Sequence, residues 1–202
     1  MKELLRKITN GNRPVIITCI LYTAVCLIVV LSAWAIDLHR CDLSKTISAY
    51  VGFRKWTAIL YFFCMTIMMA WLVVYVKKTV TRLPKKILYY LVFLCVWGCS
   101  VFPSNREWSG FVSDVHLACA YGFMFTASFS FLFTAFASDR KGPRIFAICV
   151  FCYALFFILA LLVMKWKWFM DTIFIWENLC IYLVIAELYL ETPPSHSIRK
   201  RQ

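Results

Sequence analysis

The sequence predicts an all-α polytopic membrane protein, a bundle of six transmembrane helices in one domain spanning residues 1–202. Three observations carry this expectation. First, 62% of the 202 residues are apolar, a composition that leaves too little polar surface to cover a soluble domain. Second, six apolar runs recur, most of them near the ~20 residues a helix needs to cross about 30 Å of hydrocarbon at ~1.5 Å per residue. Third, the basic residues gather in the short segments between those runs, where they act as topology signals.

The first run, 15–36, follows Pro14 and stops at Asp37. It is too long for a signal-peptide core of roughly 7 to 15 residues, and Asp37-Leu38-His39 is no small-residue cleavage site, so it is read as a retained span. The second, 56–76, is entered through Arg54-Lys55 and closed by Lys77-Lys78. The third, 87–102, is the shortest; Pro103 stops it, and Lys85 and Lys86 are expected to snorkel and extend its reach. The fourth, 116–137, ends at Ser138-Asp139-Arg140-Lys141. The fifth, 145–164, starts after Gly142-Pro143, where proline suits a first helical turn. Lys165-Trp166-Lys167-Trp168 then pairs rings with bases as a membrane boundary does, and the following turn is short enough to make the last two spans antiparallel neighbours. The sixth, 172–190, carries Glu177 and Glu187 and breaks at Pro193-Pro194.

Alternating the segments between the two sides places fifteen Lys and Arg on the side of the chain ends and seven on the other. The positive-inside bias therefore puts both termini in the cytoplasm. The net charge of +12 also raises nucleic-acid binding, but the bases lie in loops between spans rather than on one clustered face, and no nucleic-acid partner is expected. No internal repeat or low-complexity segment is detected.

Nine of the ten cysteines fall inside spans, where a thiol serves as a small apolar side chain; Cys41 sits in an outer loop. One exposed cysteine cannot build a disulfide framework. Cys149 and Cys152 have C-x-x-C spacing without a second pair of ligands, so core packing is expected for both, and no metal or other cofactor is predicted.

Ionisable residues within the membrane are costly and become functional candidates. Glu187 lies near the inner end of its span and is expected to reach the headgroups, whereas Glu177, about one and a half turns from the outer end, must be protonated, paired or beside a watery cavity. Asp37-Leu38-His39 closes the first span and Asp114-Val115-His116 opens the fourth, at the same level. Residues two apart on a continuous helix point nearly opposite ways, so these pairs converge only at frayed helix ends.

Three readings of the outer group stay open. In one, the acids cap helix ends and the histidines bond to backbone or headgroups. In another, Ser48, Trp108, Asp114, His116, Trp176 and Glu177 line an outer-facing pocket for a lipid headgroup, with Glu177 and His116 sharing one site. In the third, a metal-assisted or acid-base hydrolase or transferase uses the histidines and carboxylates, although no spacing matches a zinc motif and neither Ser48 nor Ser113 lies in a G-x-S-x-G context. The favoured function is a membrane protein that binds a lipid or modulates its handling. A small-solute transporter ranks lower, because no repeats or paired broken helices are seen.

Leu43-Ser44-Lys45-Thr46-Ile47-Ser48 resembles the extended P-x-I-S-D stretch of the damage-regulated autophagy modulator family, which includes FGF-receptor-activating-protein-like members, with Ala49 in place of the family's Asp and its Pro replaced. Phe102-Pro103 followed by His116 is similar to related bacterial six-span proteins of unknown function, and Trp176-Glu177-Asn178 resembles the start of the family's last span with Trp and Glu exchanged. The resemblance implies a six-helix bundle concerned with lipids or membrane homeostasis. It carries over Ser48, His116 and Glu177 without a catalytic role for any of them.

Overall fold

The computed structural model describes residues 13–36, 46–52, 54–102, 110–160 and 172–191. These form α1 (Arg13–Ile36), α2 (Ile47–Val51), α3 (Lys55–Thr79), α4 (Leu83–Val101), α5 (Gly110–Ala137), α6 (Lys141–Ile158) and α7 (Ile173–Glu191), with no strand among the described residues. All but the short α2 are long and apolar enough to cross a membrane. Asp37-Leu38-His39, Cys41, Trp108 and Lys165-Trp166-Lys167-Trp168 lie outside the described residues.

The six long helices close into a ring in chain order: α1 packs on α3, α3 on α4, α4 on α5, α5 on α6, α6 on α7, and α7 returns to α1. Short links at 80–82 and 138–140 force antiparallel neighbours. One end of the bundle therefore gathers these links and the close of α7; it is called the basic end. The opposite, far end holds α2 and the starts of α5 and α7.

Burial runs inside out relative to a soluble bundle. Ile20, Phe63, Ile67, Phe129 and Phe136 are well exposed on the ring's outer surface, while Lys85, His116, Ser130, Thr134 and Glu187 are buried. Water would penalise each exposed ring and aliphatic chain at roughly 25 cal/mol per Å2, but lipid imposes no such penalty, so the outer surface needs a bilayer. With the six long helices, this makes the chain an integral multi-pass membrane protein.

Inside, Tyr22, Met65, Met68, Phe93, Phe123, Val184 and Leu188 fill the core. Hydroxyls on the spans return to their own helices, as Thr18 does to the Pro14 carbonyl at 2.8 Å and Ser128 to that of Met124 at 2.8 Å, which satisfies them without water. Two glycines set the approach of α4 to α5. A Cβ on Gly98 would stand 2.6 Å from Cys119 Sγ, and one on Gly122 would stand 2.9 Å from Cys95 Sγ. Small residues at such crossings let membrane helices pack by dispersion, which acts there in place of hydrophobic driving force.

Several sequence expectations change. α4 starts at Leu83 rather than 87, because Pro84 takes a first-turn position and needs no amide partner. α5 begins at Gly110, so His116 lies six residues inside the helix instead of opening it, about 9 Å along at ~1.5 Å per residue. Asp114 and His116 then sit on continuous helix, one exposed and one buried. Cys149 and Cys152 are exposed on the outer face of α6, contrary to the packing expected of them; a weakly polar thiol is tolerated against lipid as readily as in a core.

Candidate functional site

At the far end, the residues singled out from the sequence resolve into stitches at helix ends. Thr46 caps α2, its hydroxyl accepting from the Ala49 amide at 3.3 Å, and Ser48 Oγ lies 2.7 Å from the same hydroxyl. Glu177 Oε2 accepts from the Ile47 amide at 2.9 Å, so this carboxylate of α7 holds the first turn of α2 at the positive end of its peptide dipoles. Ser48 and Glu177 are thereby brought to the same short helix. His116 goes elsewhere: its Nδ1 lies 2.7 Å from the Phe102 carbonyl and 3.2 Å from that of Cys99, closing the end of α4. In place of the expected Glu177–His116 pair, Glu177 bonds to the Ile47 amide and His116 to the carbonyls of Phe102 and Cys99. Trp176 turns toward α6, where its ring meets Tyr153 at 6.1 Å and its Nε1 donates to Thr172 Oγ1 at 2.9 Å. Asp114 is exposed, and Trp108 lies outside the described residues. Glu177 and His116 are thus each held by backbone groups at a helix end.

A second polar layer joins α1 to α7 nearer mid-bundle. Tyr22 donates to Asn178 Oδ1 at 2.7 Å, and the hydroxyls of Thr23 and Tyr182 meet at 2.8 Å. Hydrogen bonds of this kind substitute for the missing hydrophobic force between spans.

The most connected polar cluster lies at the basic end, where the sequence reading placed only interfacial residues. Lys85 is 1% exposed rather than snorkelling, and Glu187 is 1% exposed rather than among headgroups. Lys85 Nζ donates to Glu187 Oε1 at 2.7 Å, to the Ser130 carbonyl at 2.7 Å and to Thr134 Oγ1, which uses all three ammonium protons. Glu187 also faces the Thr134 hydroxyl at 2.6 Å and accepts from Ser130 Oγ at 3.0 Å. Glu191 Oε2 stands 3.9 Å from Lys85 Nζ as a second, looser counter-ion. The Tyr89 ring packs beneath the ammonium, 5.0 Å from Nζ to centroid. Three helices, α4, α5 and α7, are thus tied by one buried ion pair in which all three ammonium protons are used and the Glu187 carboxylate accepts from three donors, hydrogen bonds of the kind that let such a pair survive desolvation.

A signal for Lys85 was present in the sequence. It stands four, eleven and fifteen residues before Tyr89, Val96 and Ser100, all on the buried stripe of α4. Starting that helix at 87 hid the register.

Above the pair, a cleft of about 230 Å3 opens at the basic end. Its lining includes Arg82, Lys85, Phe133, Asp139, Arg140 and Glu191. Arg82 donates to the Ala137 carbonyl and pairs with Asp139 at 3.2 Å. Arg140 donates to the carbonyls of Leu190 and Glu191, both at 2.6 Å, at the negative end of α7. Each guanidinium carries five N–H donors, so both retain donors for a ligand. Among the described residues, no group of three or more His, Cys, Asp or Glu side chains is placed to hold a metal ion.

No protein-family profile, curated protein sequence or solved structure matches the chain.

Proposed function

We propose that this multi-pass membrane protein binds a membrane lipid by its phosphate, in the cleft at the basic end, and that this end faces the cytoplasm. The observation that carries the reading is the cleft itself, where Arg82 and Arg140 come together from two different links above the buried Lys85. A guanidinium presents a planar fork that matches phosphate oxygens, and basic pockets between spans on the cytoplasmic side are a recognised form of headgroup site. Leu83 and Phe136, next in the chain to the lining residues Arg82 and Ala137, are 67% and 78% exposed, so apolar surface for acyl chains adjoins the polar cleft. At about 230 Å3 the space is below the roughly 300–1,000 Å3 of drug-sized ligand sites and suits a headgroup whose chains stay outside. The six-span family resemblance points to lipid handling as well, and the fifteen-to-seven split of bases supports the orientation.

The test is the phospholipid retained by purified protein after extensive detergent exchange, measured by native mass spectrometry. Arg82→Gln with Arg140→Gln should strip most of the lipid that the wild type keeps. Equal retention would overturn the site. For orientation, with Cys41 replaced by Ser, an impermeant thiol reagent added outside intact cells should label a cysteine at position 104 and spare one at position 79; the reverse pattern would refute the assignment.

A further inference from the structure

The charge balance of the cleft narrows the class of headgroup. Resting on the phosphate-binding reading above, we infer that the ligand is a zwitterionic phosphodiester bearing a primary ammonium, the headgroup chemistry of phosphatidylethanolamine.

Lys85 brings one positive charge to the lining, but Glu187, 2.7 Å behind it, cancels that charge from within the bundle. Among the described lining residues, what the cleft presents to a ligand is then Arg82 and Arg140 against Asp139 and Glu191, two charges of each sign. A site for a strongly anionic headgroup needs an excess of bases, since every surplus negative charge taken out of water must find a counter-ion. Among its described lining residues there is no such excess. A zwitterion fits it: the phosphate takes the spare N–H groups of the arginines, and the ammonium takes the carboxylates.

Both carboxylates have capacity for that role. The Asp139 side chain is 94% exposed and gives one contact to Arg82, while Glu191 Oε1 lies 3.0 Å from Thr134 Oγ1, whose single proton faces Glu187 at 2.6 Å, and Glu191 Oε2 stands 3.9 Å from Lys85. A carboxylate offers about four lone-pair sites, so each can accept further N–H donors. The ammonium must carry N–H groups, of which a primary one offers the most. Quaternary ammonium groups have no N–H to donate and are held instead by aromatic cages, and among the described lining residues Phe133 is the one aromatic ring.

The experiment offers purified full-length protein an equimolar mixture of phosphatidylethanolamine, phosphatidylcholine and phosphatidylglycerol with matched acyl chains, and reads the bound species by native mass spectrometry. The wild type should retain phosphatidylethanolamine about tenfold over either competitor, the scale of one charge-assisted hydrogen bond. Asp139→Asn, at a side chain too exposed to threaten folding, should shrink that margin over phosphatidylglycerol, and adding Glu191→Gln should invert it by leaving two uncompensated arginines. Phosphatidylglycerol bound as well as phosphatidylethanolamine by the wild type, in an Arg82- and Arg140-dependent manner, would overturn the zwitterion while leaving phosphate binding intact. Equal binding of phosphatidylcholine would overturn the primary ammonium. Lipid retention that ignores Arg82 and Arg140 altogether would instead remove the phosphate site on which this inference rests.

Discussion

Replacing Lys85 by Met should be among the most damaging single substitutions in this chain, and its cost can be worked from the partners it leaves behind. The Glu187 carboxylate would lose its 2.7 Å cation while remaining 1% exposed, keeping only the hydroxyls of Ser130 and Thr134. Stranding one member of a buried pair costs about 3–5 kcal/mol, and an unpaired carboxylate in a span costs at least ~2.5 kcal/mol even on the mild insertion scale. Glu187→Leu should cost less than Lys85→Met, because Glu191 Oε2, 3.9 Å from the ammonium, can close on Lys85 as a substitute. Removing both charges together should then recover most of the loss, since no buried charge remains to be compensated. Reversible unfolding in mixed micelles, titrated with denaturing detergent, measures all three variants as a double-mutant cycle. Additive costs, or a Lys85→Met variant within ~0.5 kcal/mol of wild type, would refute the reasoning that α4, α5 and α7 are held by this pair.

Three further outcomes follow from the packing. Glu177→Leu should free the first turn of α2 at a cost of about 1.5–3 kcal/mol, seen as faster hydrogen exchange at the Ile47 amide, whereas Glu177→Gln keeps an acceptor oxygen and should lose much less. Gly98→Ala should cost about 1–3 kcal/mol in the same micellar titration, because its Cβ would meet Cys119 Sγ at 2.6 Å, and Cys119→Ala should rescue it by removing that sulfur. Replacing Cys149 and Cys152 together with Ala should change stability by less than about 0.5 kcal/mol, and an impermeant maleimide added to the folded wild type should label neither.

The number of spans, their order and the gathering of bases at one end were legible in the sequence, because a bilayer imposes a length and a polarity that each segment must meet by itself. That Glu177 must find a partner at its depth was legible too, but not that the partner would be the Ile47 amide. What the sequence did not reveal was which face each span turns inward. Lys85 and Glu187 lie within a turn or so of their helix ends, where a long side chain can reach water as easily as a partner, and one sequence cannot say which it does. Cys149 and Cys152 posed the converse problem, because lipid and core are both apolar and a thiol reads the same in either. Both questions were decided by the closure of six helices into a ring, which let side chains of α4, α5 and α7 meet in its interior at the basic end and turned one carboxylate, one ammonium and two hydroxyls toward each other across 102 residues of chain.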